Sequence, residues 1–302
     1  MSKVLHSTEK TQSKTTHHLT WESEPMNNMA YIHLSKYIKL SRDYGPLNAK
    51  KIKDLTTAVN NVNNRYKCDV TLEQAVSLRN IVLKDKIIKN YSRMNQRIDR
   101  IYTEYEHGVD ILELSYNYDF PPLNLLRGVF LRKGYNASSI YDIFTNKKNP
   151  KSLLTGRDLK QFKLAESNDA ESTFNQQRVA ETAASNEEKF ITYFKSIGIK
   201  LRTQEQLVRE QIAQYGRPVL TPDVLFIDEV YINGKRVHWI DYKDYLGTDV
   251  RFLFTSNMNQ SVKYAEKWGP GALCYRKSFV SGLYIPGAML LDARILKLKF
   301  IE

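Results

Sequence analysis

The sequence predicts an α/β protein in two parts, an all-helical N-terminal region and a C-terminal domain with a mixed sheet flanked by helices. Three observations carry this. Ile52, Leu55, Val59 and Val62 recur at helical spacing within a helical stretch from about 48 to 104. Two short amphipathic segments follow between 108 and 135. From Val179 onward the pattern reads helix, strands, helix, strand, the order of an α/β arrangement. With 302 residues, 42% of them apolar, the chain can build two cores.

Residues 1–28 are polar, rich in Ser, Thr, His and Lys, and are expected to form a disordered tail in which His17 and His18 carry no role. A helical region is expected over 29–165. Its second long segment opens at Thr71 and carries Ala75, Leu78, Val82, Ile87 and Tyr91, with Lys84, Lys86, Lys89, Arg93, Arg97 and Arg100 making it positive. Val109, Ile111, Leu112 and Leu114 then form a short amphipathic helix. A turn over 116–120 leads to Pro121-Pro122, which suits a helix start. The next helix turns Leu123, Leu126, Val129 and Phe130 inward and Asn124, Arg127, Arg132 and Lys133 outward. Two short helices joined by a tight turn, the second basic, read as a helix-turn-helix. Arg127, Arg132 and Lys133 are its expected nucleic-acid contacts.

A linker is expected from Ala165 to Gln177, and the second domain over 178–302. Val179 to Ile197 is an amphipathic helix with Phe190, Ile191, Phe194 and Ile197 on one face, closed by Gly198. Thr203 caps a helix over 204–215. Strand-like segments cover 219–228, 230–241 and 271–280, with Asn233-Gly234 as a hairpin turn, and a helix near 261–267 precedes the last of them.

The formal net charge of +12 fits a polyanionic partner, nucleic acid or an acidic membrane surface, and no lipidation motif favours the membrane. There is no apolar run of about 18 residues, so no transmembrane helix is expected, and the polar start lacks the apolar centre of a secretory signal. Cys68 and Cys274 form no paired motif and are expected to be free thiols in a reducing compartment.

The chemistry is expected at two strands. Pro222-Asp223 opens one, and Asp241-Tyr242-Lys243 ends the next, a hairpin away. Strand alternation places 237, 239, 241 and 243 on one face, so Asp241 and Lys243 project together. Two carboxylates meeting on a sheet repel unless a cation lies between them, and hard oxygen ligands select Mg²⁺ or Mn²⁺. A lysine two residues from a metal carboxylate can orient a water for attack on a phosphodiester. Gln260 and Tyr264, four apart on the following helix, share its face.

Thr221-Pro222-Asp223 with Val224-Leu225-Phe226, and Trp239-Ile240-Asp241-Tyr242-Lys243 followed by Gly247, resemble the PD-(D/E)xK nuclease superfamily and, more closely, its TPD-motif family, which includes the codanin-interacting nuclease of animals. The resemblance implies a restriction-endonuclease-like core and a Mg²⁺-dependent nuclease acting on nucleic acid, with DNA the expected substrate. Asp223 and Asp241 would be metal ligands, with Tyr242 among the metal-contacting positions and Lys243 the catalytic lysine. Gln260 and Tyr264 are similar to an element that shapes the site and holds DNA. The superfamily also places a metal-binding Glu on the first core helix. Glu187 and Glu188 both qualify, and Glu187 is preferred because it keeps the buried stripe of Ile191 and Phe194 and lies eleven residues before Gly198, as in the resolvase-like members. A nuclear protein, present also in the cytoplasm, with a codanin-like partner is implied as well. The alternative is a catalytically silent protein of the same fold that binds DNA or a partner.

Overall fold

The computed structural model describes residues 4–11, 14–170 and 173–296. Its strands are β1 (Val4–Thr11), β2 (Lys14–Trp21), β3 (Leu201–Thr203), β4 (Val224–Ile232), β5 (Lys235–Lys243), β6 (Gly271–Tyr275) and β7 (Ala288–Asp292). Its helices are α1 (Asn28–Leu40), α2 (Ala49–Tyr66), α3 (Leu72–Gln96), α4 (Ile98–Glu106), α5 (Ile111–Tyr118), α6 (Pro122–Arg132), α7 (Ala137–Phe144), α8 (Gly156–Ser167), α9 (Thr173–Ser196), α10 (Gln204–Tyr215) and α11 (Arg251–Trp268). The chain is mixed α/β, as the sequence predicts, and divides into two compact units. One comprises 1–33, 59–78 and 182–302, the other 34–58 and 79–181. Among the described residues no helix is long and apolar enough to cross a membrane.

The first unit holds one seven-stranded mixed sheet in the order β1-β2-β4-β5-β6-β7, with β3 also on β4. β4 and β5 form an antiparallel hairpin, whereas β5–β6, β6–β7 and β2–β4 are parallel. The hairpin turn is Asn233-Gly234, both at positive φ, a conformation that Asn and Gly adopt most readily. One face of the sheet packs Phe190, Phe194, Val224, Ile240 and Tyr242 into a core. The other packs Leu207, Leu225, Trp239, Tyr264, Leu273 and Tyr275. Gly271 has its position because a Cβ there would run into the Trp239 indole.

Three sequence expectations are corrected in this unit. Residues 14–21 are not part of a disordered tail. They form β2, with His17, Leu19 and Trp21 buried in strict alternation, and Leu19 and Trp21 join the core. The polar residues between them hid this pattern. His17 meets buried Asp228 at 3.1 Å and His18 stacks on Tyr231. Second, the register of β4 on β5 shifts between Leu225 and Val230. This irregularity turns Val237 into the core opposite Trp239, so alternation along β5 does not run unbroken from 237. Third, α9 begins at Thr173, leaving little of the expected linker, and α11 is far longer than the 261–267 segment read from sequence. Cys68 and Cys274 are both free.

The second unit is helical. Ile98, Ile101, Tyr105, Ile111, Leu114, Leu125, Leu126, Val129 and Phe130 belong to its core. Asp110 caps α5 by accepting from the Leu112 N–H, and Asp119, at positive φ, ends it. Pro122 then starts α6, so the predicted helix–turn–helix pair is present.

Candidate active site

The β4–β5 hairpin brings the two aspartates together. Val224 pairs with Ile240, which leaves Asp223 and Asp241 as the next positions on the two strands. Both are buried, at 6% and 2% exposure. Asp223 Oδ2 accepts from the Tyr242 N–H at 2.7 Å. Lys243 Nζ is ion-paired with Asp241 Oδ2 and donates to Gln260 Oε1 at 3.0 Å. Gln260 Nε2 in turn donates to the Tyr264 hydroxyl at 2.9 Å, and the Tyr264 ring packs on Trp239. Helical spacing thus does what the sequence suggested: Gln260 and Tyr264, one turn apart on α11, reach the same strand face as Asp241 and Lys243.

Electrostatics marks the same group. Burial, then the charges of Asp241 and Glu187, push the Asp223 carboxyl well above the usual aspartate range. Burial and then Asp241 raise Glu187. Burial alone would lower the Lys243 ammonium, but the charge and hydrogen bond of Asp241 outweigh it and hold the proton above the usual lysine range. Glu187 is half-buried and within the field of Asp241, whereas Glu188 is exposed. Of the two glutamates, Glu187 is the one that feels the charge of Asp241.

Tyr242 takes a different place from the one its metal assignment implied. Its ring lies on the opposite sheet face, against Phe190 at 4.9 Å between centroids, because neighbouring strand residues alternate. Its main chain is what reaches the site, through the N–H to Asp223.

Among the described residues no three His, Cys, Asp or Glu side chains close into a group that could hold a metal ion. The donor chemistry nonetheless fits a hard divalent cation. Asp223, Asp241 and Glu187 lie within one another's field, and the Lys243 ammonium supplies the positive charge that Asp241 meets.

Asn257 was missed in the sequence. It lies three residues before Gln260 on the buried face of α11, at 3% exposure, accepts from the Tyr245 hydroxyl and donates to that of Tyr275. Its signal was there, as Asn257, Ser261 and Tyr264 form a buried polar stripe. Arg276, one residue past β6, belongs to a second buried charge cluster. It is 4% exposed and ion-paired with Asp244 and Glu73.

In the helical unit, Arg127 is exposed on α6. Arg132 pairs with Asp99 at 2.9 Å. Lys133 pairs with Glu106 and with buried Asp158. The outward direction of the three is as expected, but two of them are engaged with acids of their own unit.

Fold and site together define an α/β protein with a buried carboxylate–lysine cluster on a sheet hairpin. Residues 157–293 match the family described as a protein of unknown function with a TPD sequence motif, which supports the TPD family. The chain is also similar to the uncharacterized protein L539 of Acanthamoeba polyphaga mimivirus, 31% identical over 104 residues. That alignment covers 33% of this chain and 36% of the viral protein, so the chain matches about a third of that relative's length. No solved structure matches the chain.

Proposed function

We propose that the sheet unit is a metal-dependent nuclease of the PD-(D/E)xK superfamily that hydrolyses phosphodiester bonds of DNA. The observation that carries the reading is the convergence of Asp223, Asp241 and Lys243 at one hairpin, with Gln260 of α11 on the lysine. Structural ion pairs do not require two buried aspartates side by side, because the second acid adds only repulsion and desolvation.

Asp223, Asp241 and Glu187 are the residues that would hold Mg²⁺ or Mn²⁺, which when bound supplies Lewis-acid polarisation of a phosphoryl oxygen and lowers the pKa of water. Lys243, whose ammonium is favoured by the neighbouring Asp241 in the metal-free fold, would orient the attacking water and offset charge that develops on the phosphate. Gln260 holds the ammonium at one acceptor and limits its rotation. Tyr242 fixes Asp223 through the main chain, so that carboxylate has one defined orientation. In the helical unit, Arg127 offers α6 a cation for the nucleic-acid backbone. The net charge of +12 supports the same polyanionic substrate.

The test uses the full-length protein with end-labelled single-stranded, duplex and branched DNA and the matching RNAs, with Mn²⁺ and with EDTA. The proposal expects cleavage of a DNA substrate that EDTA abolishes. No cutting of any substrate with metal present would overturn it, and cutting confined to RNA would transfer the activity to RNA.

A further inference from the structure

Asn186 precedes Glu187 on α9 and is wholly buried. Its Nδ2 donates to Asp244 Oδ2 at 3.0 Å. Asp244 follows Lys243 where β5 ends. One hydrogen bond therefore joins the chain neighbour of the helix-borne carboxylate to the chain neighbour of the lysine, across 58 residues of sequence. The other Asp244 oxygen faces Arg276 Nε at 2.9 Å, and Arg276 also pairs with Glu73 at the start of α3. Lys277 donates to the Asp244 carbonyl at 3.4 Å. Arg276 and Asp244 are 5% and 14% exposed in their side chains.

Such a cluster is a weak source of stability, since desolvating the charges offsets most of what their pairing gains. Its directionality is what apolar packing lacks. α9 lies on the sheet through Phe190 and Phe194, and apolar contacts of this kind are non-directional. A metal centre needs more, because its ligands must be held to within about 0.5 Å. The Asn186–Asp244 bond is a polar link between α9 and the end of β5, one residue from Glu187 on one side and one from Lys243 on the other.

We infer that Asn186 is a positioning residue of the candidate active site: through Asp244 it sets the place of Glu187 against Asp241 and Lys243, and so the affinity for a divalent cation. This rests on the reading of Glu187, Asp223 and Asp241 as a metal centre.

The test titrates the metal-free full-length protein with Mn²⁺ alone, following the free ion by electron paramagnetic resonance, with no nucleic acid present. Asp241→Asn defines the background. Asn186→Leu, which leaves the net charge unchanged, is expected to weaken Mn²⁺ binding about tenfold, while the exchange of Asn186→Asp with Asp244→Asn returns it to within about twofold. The exchange also keeps the net charge and retains the bond with donor and acceptor interchanged. If Asn186→Leu fails to fold, Asn186→Ala takes its place. A lower melting temperature with unchanged Mn²⁺ affinity in the folded variant would mean a merely structural role and overturns the inference. An exchange variant as weak as Asn186→Leu overturns it too. Wild-type protein that binds no Mn²⁺ above the Asp241→Asn background sinks the metal centre itself, and the inference with it.

Discussion

Asp223 accepts the backbone N–H of Tyr242 at 2.7 Å, so one buried aspartate is tied to the main chain between the other aspartate and the lysine. That bond does not overcome burial and the neighbouring charges, which raise the Asp223 carboxyl well above its ordinary range. A raised carboxyl favours the protonated form in the fold. Its contribution to stability is full below the ordinary aspartate value of about 3.9 and is lost as pH rises through the raised one. Asp223→Asn removes that loss while its amide oxygen can still accept from Tyr242. At neutral pH without metal, the variant is expected to be about 1 kcal/mol more stable than wild type, or roughly 2–4 °C in melting temperature. The gain should shrink in acid. A variant less stable than wild type at neutral pH would mean that Asp223 serves the fold rather than the site.

Glu187 and Glu188 separate by the same logic. Glu187 feels Asp241, and Glu188 is exposed. Glu187→Gln is expected to raise the Mg²⁺ concentration for half-maximal cleavage by about tenfold or more, and Glu188→Gln to leave it nearly unchanged. Metal-dependence curves for the two variants decide the matter, and the reverse order would hand the role to Glu188.

In the helical unit the three basic residues of the helix pair should not behave alike. Arg127→Ala is expected to lower the slope of log affinity against log salt on duplex DNA by about 0.9. Lys133→Ala leaves Asp158, 5% exposed, without one of its partners and is expected to cost about 1–3 kcal/mol of stability. Fluorescence anisotropy at several salt concentrations, together with thermal unfolding, checks both. An unchanged slope for Arg127→Ala would take α6 away from the nucleic acid.

β2 makes the N-terminal residues part of the sheet. Trp21 is 2% exposed, lies 6.3 Å from Phe194 between ring centroids and donates its indole N–H to the Asp292 carbonyl. Trp21→Ala is expected to destabilise the protein by about 3–5 kcal/mol. Equilibrium denaturation measures it, and a loss below about 1 kcal/mol would return this segment to a loosely held tail. For the same reason a fragment lacking residues 1–150 is no test of the helical unit, since it lacks β2 and the 59–78 segment of the sheet unit.

What could be read in the sequence was what local periodicity encodes. The strand period and the Asn233-Gly234 turn predicted that Asp223 and Asp241 would meet, and the helix period linked Gln260 to Tyr264. The preference for Glu187 came from its offset to Ile191 and Phe194, both of which are buried. What escaped depends on distant partners. His17, Leu19 and Trp21 alternate among polar residues, and nothing in 14–21 announces that β4 is their neighbour. The register shift between Leu225 and Val230 has no glycine or proline to mark it. Asn186 and Asp244 lie 58 residues apart, and only the fold brings them together. The sheet unit also takes in 59–78, where the sequence shows only the end of one helical segment and the start of the next.

In the proposed nuclease Lys243 serves a reaction and not the core. Its ammonium, paired with Asp241 and Gln260, is the group whose loss should separate cutting from binding. The most direct measurement is single-turnover cleavage of labelled DNA by full-length Lys243→Ala protein at saturating Mn²⁺, beside its DNA affinity. Affinity within about twofold of wild type is expected, with a cleavage rate lower by about 10²–10³. Cleavage at the wild-type rate would contradict this role.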